Sequence, residues 1–140
     1  MALSMDVNRK EREGNLLVLP VAGSEKIYGG AIVTINADGY AVAGKTALGL
    51  TAIGCADERA INISEVAGAI DVKVKLGIFA FNNSSGDDEI SRKNIGDFCY
   101  IVDDDTVALT DGSTTVDTAK KRSLAGKIFD VDDDGVWVAI

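Results

Sequence analysis

The stretch whose residue types and spacing come closest to a catalytic motif is residues 39–46, Gly-Tyr-Ala-Val-Ala-Gly-Lys-Thr. It matches the pattern G-x-x-x-x-G-K-[ST], in which backbone N–H groups and a lysine hold nucleotide phosphates. Residues 100–103, Tyr-Ile-Val-Asp, also resemble the apolar run and aspartate that would bind magnesium in such a site. A working site of this kind would make the protein a nucleotide-binding enzyme.

The surroundings of this motif do not suit phosphate binding. The chemistry needs a strand before the first glycine and a helix that begins at Lys45 and Thr46. Here Gly39 ends an Asn-Ala-Asp-Gly turn, the next four residues alternate like a strand, and the segment after Thr46 contains two glycines, which disfavour a helix. We interpret the match as coincidence, and a P-loop-type enzyme built on residues 39–46 stays as the alternative function.

Clusters of three aspartates at residues 103–105 and 132–134 are the next candidates for chemistry. Residues 130–135, Asp-Val-Asp-Asp-Asp-Gly, match the opening of a calcium-binding loop, but no helices flank them. Each cluster separates two apolar runs, which is typical of a hairpin turn. Weak binding of a cation at the surface is kept as the alternative. The chain has no histidine, the commonest metal ligand and acid/base group near neutral pH. We predict no catalytic residue, no metal site, no cofactor and no enzymatic activity.

Apolar runs between turn signals predict an all-β fold. The clearest strand is residues 71–81, where Val72 and Val74 alternate with Lys73 and Lys75 before Gly77 suggests a bulge or bend. We expect a small β-sandwich or a partly closed barrel of about nine short strands, with at most short helical turns. The other predicted strands and hairpins are residues 16–19 ending at Pro20 as an edge strand or strand end, 31–43, 48–55, 59–63, 95–109 and 125–140.

The chain divides into a polar N-terminal arm, residues 1–15, and a single β-rich domain, residues 16–140. The arm has no net charge, so the domain carries the whole net charge of −8 with 19 acidic and 11 basic side chains. Such an acidic body repels phosphate backbones, so we expect no nucleic-acid partner. The basic run at residues 120–122 is predicted to be a solvated polar turn.

No apolar run approaches the ~20 residues of a membrane span, so we expect no membrane partner. The first residues lack the basic-then-apolar order of a signal peptide, so we expect synthesis in a reducing cytoplasm. Cys55 and Cys99 each lie in an apolar segment, with no second thiol close in sequence. Both are predicted to be reduced, buried and inert.

Several segments together give the chain a family likeness over about residues 16–140. They are Gly29-Gly-Ala-Ile-Val with its Asn-Ala-Asp-Gly-Tyr turn, the Lys-Val-Lys-Leu-Gly-Ile-Phe strand, the hairpin from Ile95-Gly-Asp-Phe-Cys-Tyr-Ile-Val through its aspartates, and the closing hairpin that ends in Gly135-Val-Trp-Val. In the order and the residue pattern of these segments, the chain resembles the capsid decoration, or cement, proteins of tailed bacteriophages.

This resemblance implies a structural virion protein made in the host cytoplasm and found on the capsid outer surface. It would bind the major capsid protein of the expanded head, bridge neighbouring capsomers and self-associate as a homotrimer. A tail or fibre accessory protein has the same β-rich profile and stays as a second alternative. We expect residues 7–19 to dock as an added strand or strap on the shell or on a neighbouring copy. The predicted contact residues are Val7, Asn8, Arg9, Lys10, Arg12, Leu16, Leu17 and Leu19.

Overall fold

The computed structural model describes residues 1–140, and its regular structure is almost entirely β. Twelve short strands follow one another along the chain, with single 3-10 turns at Gly86–Asp88 and Arg92–Asn94. The strands are β1 Leu16–Pro20, β2 Lys26–Ile27, β3 Ile32–Ile35, β4 Ala41–Ala43, β5 Thr51–Ala56, β6 Ala60–Ile61, β7 Asp71–Lys75, β8 Ile78–Phe81, β9 Phe98–Ile101, β10 Val107–Ala108, β11 Leu124–Asp132 and β12 Gly135–Ala139.

These strands form three antiparallel sheets, which confirms the predicted all-β sandwich. The first sheet has the order β1-β7-β5-β3-β4, the second has the order β10-β9-β11-β12-β8, and β2 pairs with β6 in a separate ribbon. No sheet forms a fully closed barrel, although an isolated parallel bridge between Val21 and Ala41 joins the chain directly after β1 to β4, the opposite edge of the first sheet. The strand count exceeds nine because the two-residue β2 is too short to leave a periodic pattern and because the predicted strand 71–81 is divided in two.

Two hydrophobic cores hold the layers together, and β3 contributes to both. Because successive side chains of a strand point to opposite faces, Val33 packs in the first core and Ile32 in the second. The first core joins the inner face of the first sheet to the ribbon through Ile27 and Ala60. The second core is built on the inner face of the second sheet from Phe81, Ile90, Cys99, Ile101, Val107, Ala125, Ile128, Val136 and Val138.

The bend predicted at Gly77 is a transfer between the two sheets. β7 ends at Lys75 in the first sheet, and β8 begins at Ile78 in the second. Gly77 and Ile140 exchange backbone hydrogen bonds of 3.2 and 2.9 Å. This reciprocal pair starts the β8 edge of the second sheet, so one continuous apolar segment contributes to both layers.

The acidic turn at residues 103–105 also joins the sheets. The N–H of Ile32 donates to the carbonyl of Asp104 at 2.8 Å, and the N–H of Asn82 donates to the carbonyl of Asp105 at the same distance. Within the turn, the Asp105 N–H donates to the Asp103 carboxylate at 2.9 Å, as expected for an aspartate turn. The second cluster is a two-residue hairpin turn between β11 and β12, with Asp132 opposite Gly135. Both clusters are therefore hairpin turns, as predicted.

The basic run at residues 120–122, at the end of a linker that spans residues 111–122, differs from its prediction at one residue. Lys121 forms an exposed ion pair with Asp117 at 2.9 Å, but the Arg122 side chain is only 17% exposed. Its guanidinium lies 3.1 Å from the Asp88 carboxylate and donates to the Thr110 carbonyl at 3.0 Å. The prediction of a solvated basic turn is thus wrong for Arg122, which fastens the linker to the 3-10 turn at Gly86–Asp88.

Candidate functional site

The predicted contact residues lie on the N-terminal arm and on β1, which begins at Leu16 directly after the arm. Residues 1–13 form neither strand nor helix and are exposed throughout. None of the charged side chains of the arm forms an ion pair within the chain. The arm joins the body where the Leu76 N–H donates to the Asn15 carbonyl at 3.1 Å. The arm therefore keeps its side chains and most of its backbone groups free for a partner.

β1 is an edge strand whose outer side has no partner in the chain along Leu16–Pro20, and directly beyond it the Ala22 N–H donates to the Ala41 carbonyl of β4 at 3.0 Å. β1 pairs only with β7, and its pairing is bounded by the Asn15–Leu76 bond and by a 2.9 Å bond from the Val21 N–H to the Ile70 carbonyl. Hydrogen-bonded pairs alternate along an antiparallel ladder, so the odd-numbered residues face β7. The backbone groups of the even-numbered residues, Leu16, Val18 and Pro20, point to the free edge.

Pro20 occupies a position that costs the sheet nothing. Proline lacks an N–H group, and here the missing donor would have pointed away from β7. The prediction that Pro20 marks an edge strand is confirmed. The free edge consequently offers two N–H donors, from Leu16 and Val18, and three carbonyl acceptors.

Side chains alternate along β1, and this divides the predicted contact residues into two groups. Leu19 is buried in the first core and Leu17 is partly buried against it, so both side chains serve the protein's own packing. Leu16 and Val18 point outward, with exposed fractions of 48% and 51%. Val18 was missed at the level of sequence, although the two-residue period of a strand would have placed it beside Leu16.

Charged residues of β7 flank the outward side chains of β1. In the register, Leu16 lies opposite Lys75, and Val18 lies opposite Lys73. Lys75 is 2.8 Å from the Asp57 carboxylate. The hydrogen bond that the Lys75 ammonium donates to Asp57 and the negative charge of that carboxylate raise the pKa of Lys75. The exposed surface beside the β1 edge therefore combines two apolar side chains with two lysines.

Residues 39–46 do not form a phosphate-binding loop. The Asn36 side chain accepts the N–H groups of Asp38 and Tyr40, each at 3.0 Å, and this closes the turn before β4. The next residues form β4, a strand where the motif needs a loop. The Thr46 hydroxyl donates to the Val102 carbonyl at 2.7 Å. Lys45 is exposed and no helix follows it, so the backbone donors that would cradle phosphate are not gathered here.

The aspartate turns likewise do not gather ligands for a cation. No group of three or more histidine, cysteine, aspartate or glutamate side chains is placed to hold a metal ion. Asp132 accepts the N–H of Asp134 at 2.9 Å within its own turn. Burial raises the pKa of Asp104, and the neighbouring Asp103 and Asp105 charges raise it further. That carboxyl group faces repulsion from its neighbours and forms no ion pair within the chain.

The two cysteines are free thiols in different environments. Cys99 is buried, its thiol lies 3.6 Å from the Gly126 carbonyl, and burial raises its pKa to about 12. Cys55 is only partly buried, and it lies between the exposed Lys75 of β7 and the buried Ile32 of β3 in the first sheet. Burial raises its pKa too, while the Lys75 charge acts in the opposite direction. The predicted burial therefore holds for Cys99 and is wrong for Cys55.

Comparison of the chain with protein families, with curated proteins and with solved structures finds no match. None of its helical segments has the length and apolar character needed to cross a membrane. The likeness to phage decoration proteins consequently stays a prediction from the sequence. The arm and the free edge of β1 are the features from which a function can be argued.

Proposed function

We propose that the protein is a structural virion component that binds the outer surface of an expanded phage capsid and stabilises it by bridging neighbouring capsomers. The observation that carries this proposal is the continuity of an exposed arm, residues 1–13, with the unpaired edge of β1. An unpaired edge is a ready template for strand addition, and proteins without a partner for it usually protect it. This free edge ends at Pro20, the last residue of β1, and at the bridge between Val21 and Ala41 that follows it.

Attachment proceeds through the main chain of β1 and the side chains beside it. The N–H groups of Leu16 and Val18 donate to an added strand of the partner, and both side chains pack on it. Val7, Asn8, Arg9, Lys10 and Arg12 extend the contact along the shell as a strap. Leu17 and Leu19 act indirectly, because their packing in the first core fixes the orientation of β1.

Repetition over the shell turns a weak contact into a stabilising one. A short strand addition with a flexible arm contributes only a few kcal/mol at each site, since ordering the arm costs conformational entropy. Two attachment points on one subunit raise the effective concentration of the second, so a copy that spans two capsomers holds them together. The acidic body, with its net charge of −8, keeps free copies soluble before attachment.

The partner in this proposal is the major capsid protein, and copies associate with one another as a homotrimer at the site of attachment. A tail or fibre accessory protein would use the same arm and edge, and only its location in the particle separates it from a decoration protein. The nucleotide-binding alternative has no comparable support, because β4 replaces the loop that its motif requires.

Binding of purified protein to undecorated, expanded heads tests the proposal. We expect saturable co-sedimentation with heads and an increased resistance of decorated heads to heat. Deletion of residues 1–14, which leaves every strand in place, should weaken binding and remove the added resistance. Binding to tails but not to heads would instead support the alternative function of a tail or fibre accessory protein. Failure to bind either assembly would refute the proposal.

A further inference from the structure

The outward face of the second sheet is unusually apolar for a surface that is partly exposed to solvent. Its residues alternate with those of the second core: Val136 and Val138 are fully buried, so Trp137 and Ala139 point the other way. Exposed fractions reach 58% for both Phe98 and Phe129. The outer face, as we call this surface, consists of Ile78, Ala80, Phe98, Tyr100, Leu124, Lys127, Phe129, Asp130, Trp137 and Ala139.

The first sheet provides an example of a solvent-exposed sheet face in this protein. Along β7, the buried Val72 and Val74 alternate with exposed Lys73 and Lys75, the usual pattern of an antiparallel sheet with one side in water. β12 also alternates buried with outward residues, but its outward positions, Trp137 and Ala139, are apolar. The difference between the two faces points to a partner for the second one.

The outer face contains one basic and one acidic side chain, and a β-bulge puts both on the same side. Residues three apart on a regular strand point to opposite faces. The register of β11 shifts between Ile128 and Asp130, so Lys127 lies opposite Ala139 and Asp130 lies opposite Trp137. Neither charge forms an ion pair within the chain. The face is thus electrically neutral, unlike the body as a whole.

We propose that the outer face binds the outer face of a second copy about a two-fold axis that crosses β11 between Lys127 and Asp130. In such an isologous contact, where one residue of the first copy contacts a second residue of the other copy, the reverse contact also forms. The axis exchanges the row Ile78–Ala139–Lys127 with the row Ala80–Trp137–Asp130. Lys127 of each copy then faces Asp130 of the other.

The side-chain sizes on these two rows are complementary under the same operation. Trp137 of one copy lies over Ala139 of the other, and Ile78 lies over Ala80. Phe129 stands in the bulge, next to the axis, and meets its own counterpart. Large side chains over small ones, with both charges matched, are what a self-complementary interface requires. A partner with a strongly charged surface would leave one of the two charges unmatched.

The size of the face indicates a weak and reversible contact. Four strands at ~4.8 Å spacing and about five residues at ~3.4 Å give a flat footprint of roughly 300 Å². A standard interface buries ~800 Å² on each partner. We therefore expect a dimer that dissociates on dilution. The contact is separate from the proposed capsid site, because it uses the second sheet and leaves β1 free, and it differs from a trimer contact, which cannot be two-fold.

Sedimentation velocity of the free protein, without capsids, tests this inference. We expect a reversible monomer–dimer equilibrium between about 10 μM and 1 mM. Trp137 is the only tryptophan and is already partly buried in the monomer, so its fluorescence should shift only slightly to the blue as the dimer forms. Lys127→Glu should weaken dimerisation at least about tenfold by placing like charges opposite each other. Asp130→Lys should do the same, and the double variant should restore the dimer.

Lys26→Glu is the matched control, since it makes the same change of charge at an exposed strand residue of the ribbon that, like Lys127, forms no ion pair within the chain. It should leave dimerisation unchanged. Asp130 also accepts the Val131 N–H at 2.8 Å, so thermal unfolding is used to check its variant. Where that variant does not fold, the comparison of Lys127→Glu with Lys26→Glu decides. A monomer at every concentration, a trimer insensitive to Lys127, or equal effects of the two glutamate variants would overturn the inference.

Discussion

Replacing Val18 by proline should weaken attachment to capsid heads and leave the fold intact. The Val18 N–H points to the free edge of β1, so proline at this position removes no hydrogen bond from the folded protein. Pro20 already occupies the next equivalent position on the same edge. The same substitution removes one of the two N–H donors that the edge offers to an added strand.

The size of the effect depends on the bond that is lost. A main-chain hydrogen bond contributes about 1 kcal/mol net, and leaving its carbonyl partner buried and unpaired costs about 1–3 kcal/mol. At about 1.4 kcal/mol per factor of ten, Val18→Pro should weaken binding at each site by roughly 5- to 150-fold. The free energy of unfolding should change by less than about 1 kcal/mol, because the Val18 side chain is half exposed.

Co-sedimentation with undecorated heads, titrated against protein concentration, measures the binding. Val18→Ala is the matched control, since it removes most of the side chain and keeps the N–H group. Urea unfolding of both variants checks that the fold persists. Strand addition at this edge would be refuted if Val18→Pro bound heads as tightly as Val18→Ala while both variants were folded.

Three further predictions concern the fold and its chemistry. Ile101→Ala should lower the free energy of unfolding, measured by urea titration, by about 2–5 kcal/mol, because Ile101 is fully buried in the second core. The control Val116→Ala, at an exposed residue of the linker, should change it by less than about 0.5 kcal/mol. Burial raises the pKa of Cys99 from 9.0 to about 12. Above pH 9 the unfolded state therefore loses this proton while the folded state keeps it, so the free energy of unfolding should fall as the pH rises from 9 to 12. Cys99→Ala should remove that part of the pH dependence. ATP with magnesium should leave the melting temperature of wild type and Lys45→Ala equally unchanged, and a rise that Lys45→Ala abolishes would instead support the nucleotide-binding alternative.

Local signals in the sequence identified the elements that local chemistry determines. The Asn36 turn before β4 was predictable because an asparagine side chain can accept the N–H groups that close it. The aspartate clusters were recognisable as turns for the same reason. Pro20 was predicted to lie on an edge or at a strand end, because a missing N–H is tolerated there, and it occupies both.

Features set by distant partners could not be predicted in this way. The alternation at residues 71–81 indicated the strand, but the transfer at Gly77 depends on its bonds to Ile140, the last residue of the chain. The bulge at Phe129 depends on the register against β12. The burial of Arg122 depends on Asp88, which lies 34 residues away. Pairings at such separations leave no periodic mark on either segment.

The contact residues of the candidate site were predicted in part. Exposure of the arm was expected from its polarity, and the charged run at residues 9–13 lacks partners in the chain. The assignment of all three leucines of β1 to the contact surface ignored the alternation of a strand, which buries Leu19 and exposes Val18. The outer face of the second sheet was not anticipated, because its apolar residues resemble ordinary core positions until the sheet order is known.

A density map of expanded heads decorated with the purified protein would show the proposed attachment itself. We predict density for the subunit on the outside of the shell, between capsomers, with a main chain of the partner paired along Leu16 to Val18 and the arm ordered on the surface. Heads without added density, or bound subunits whose β1 edge faces solvent, would contradict the proposed attachment.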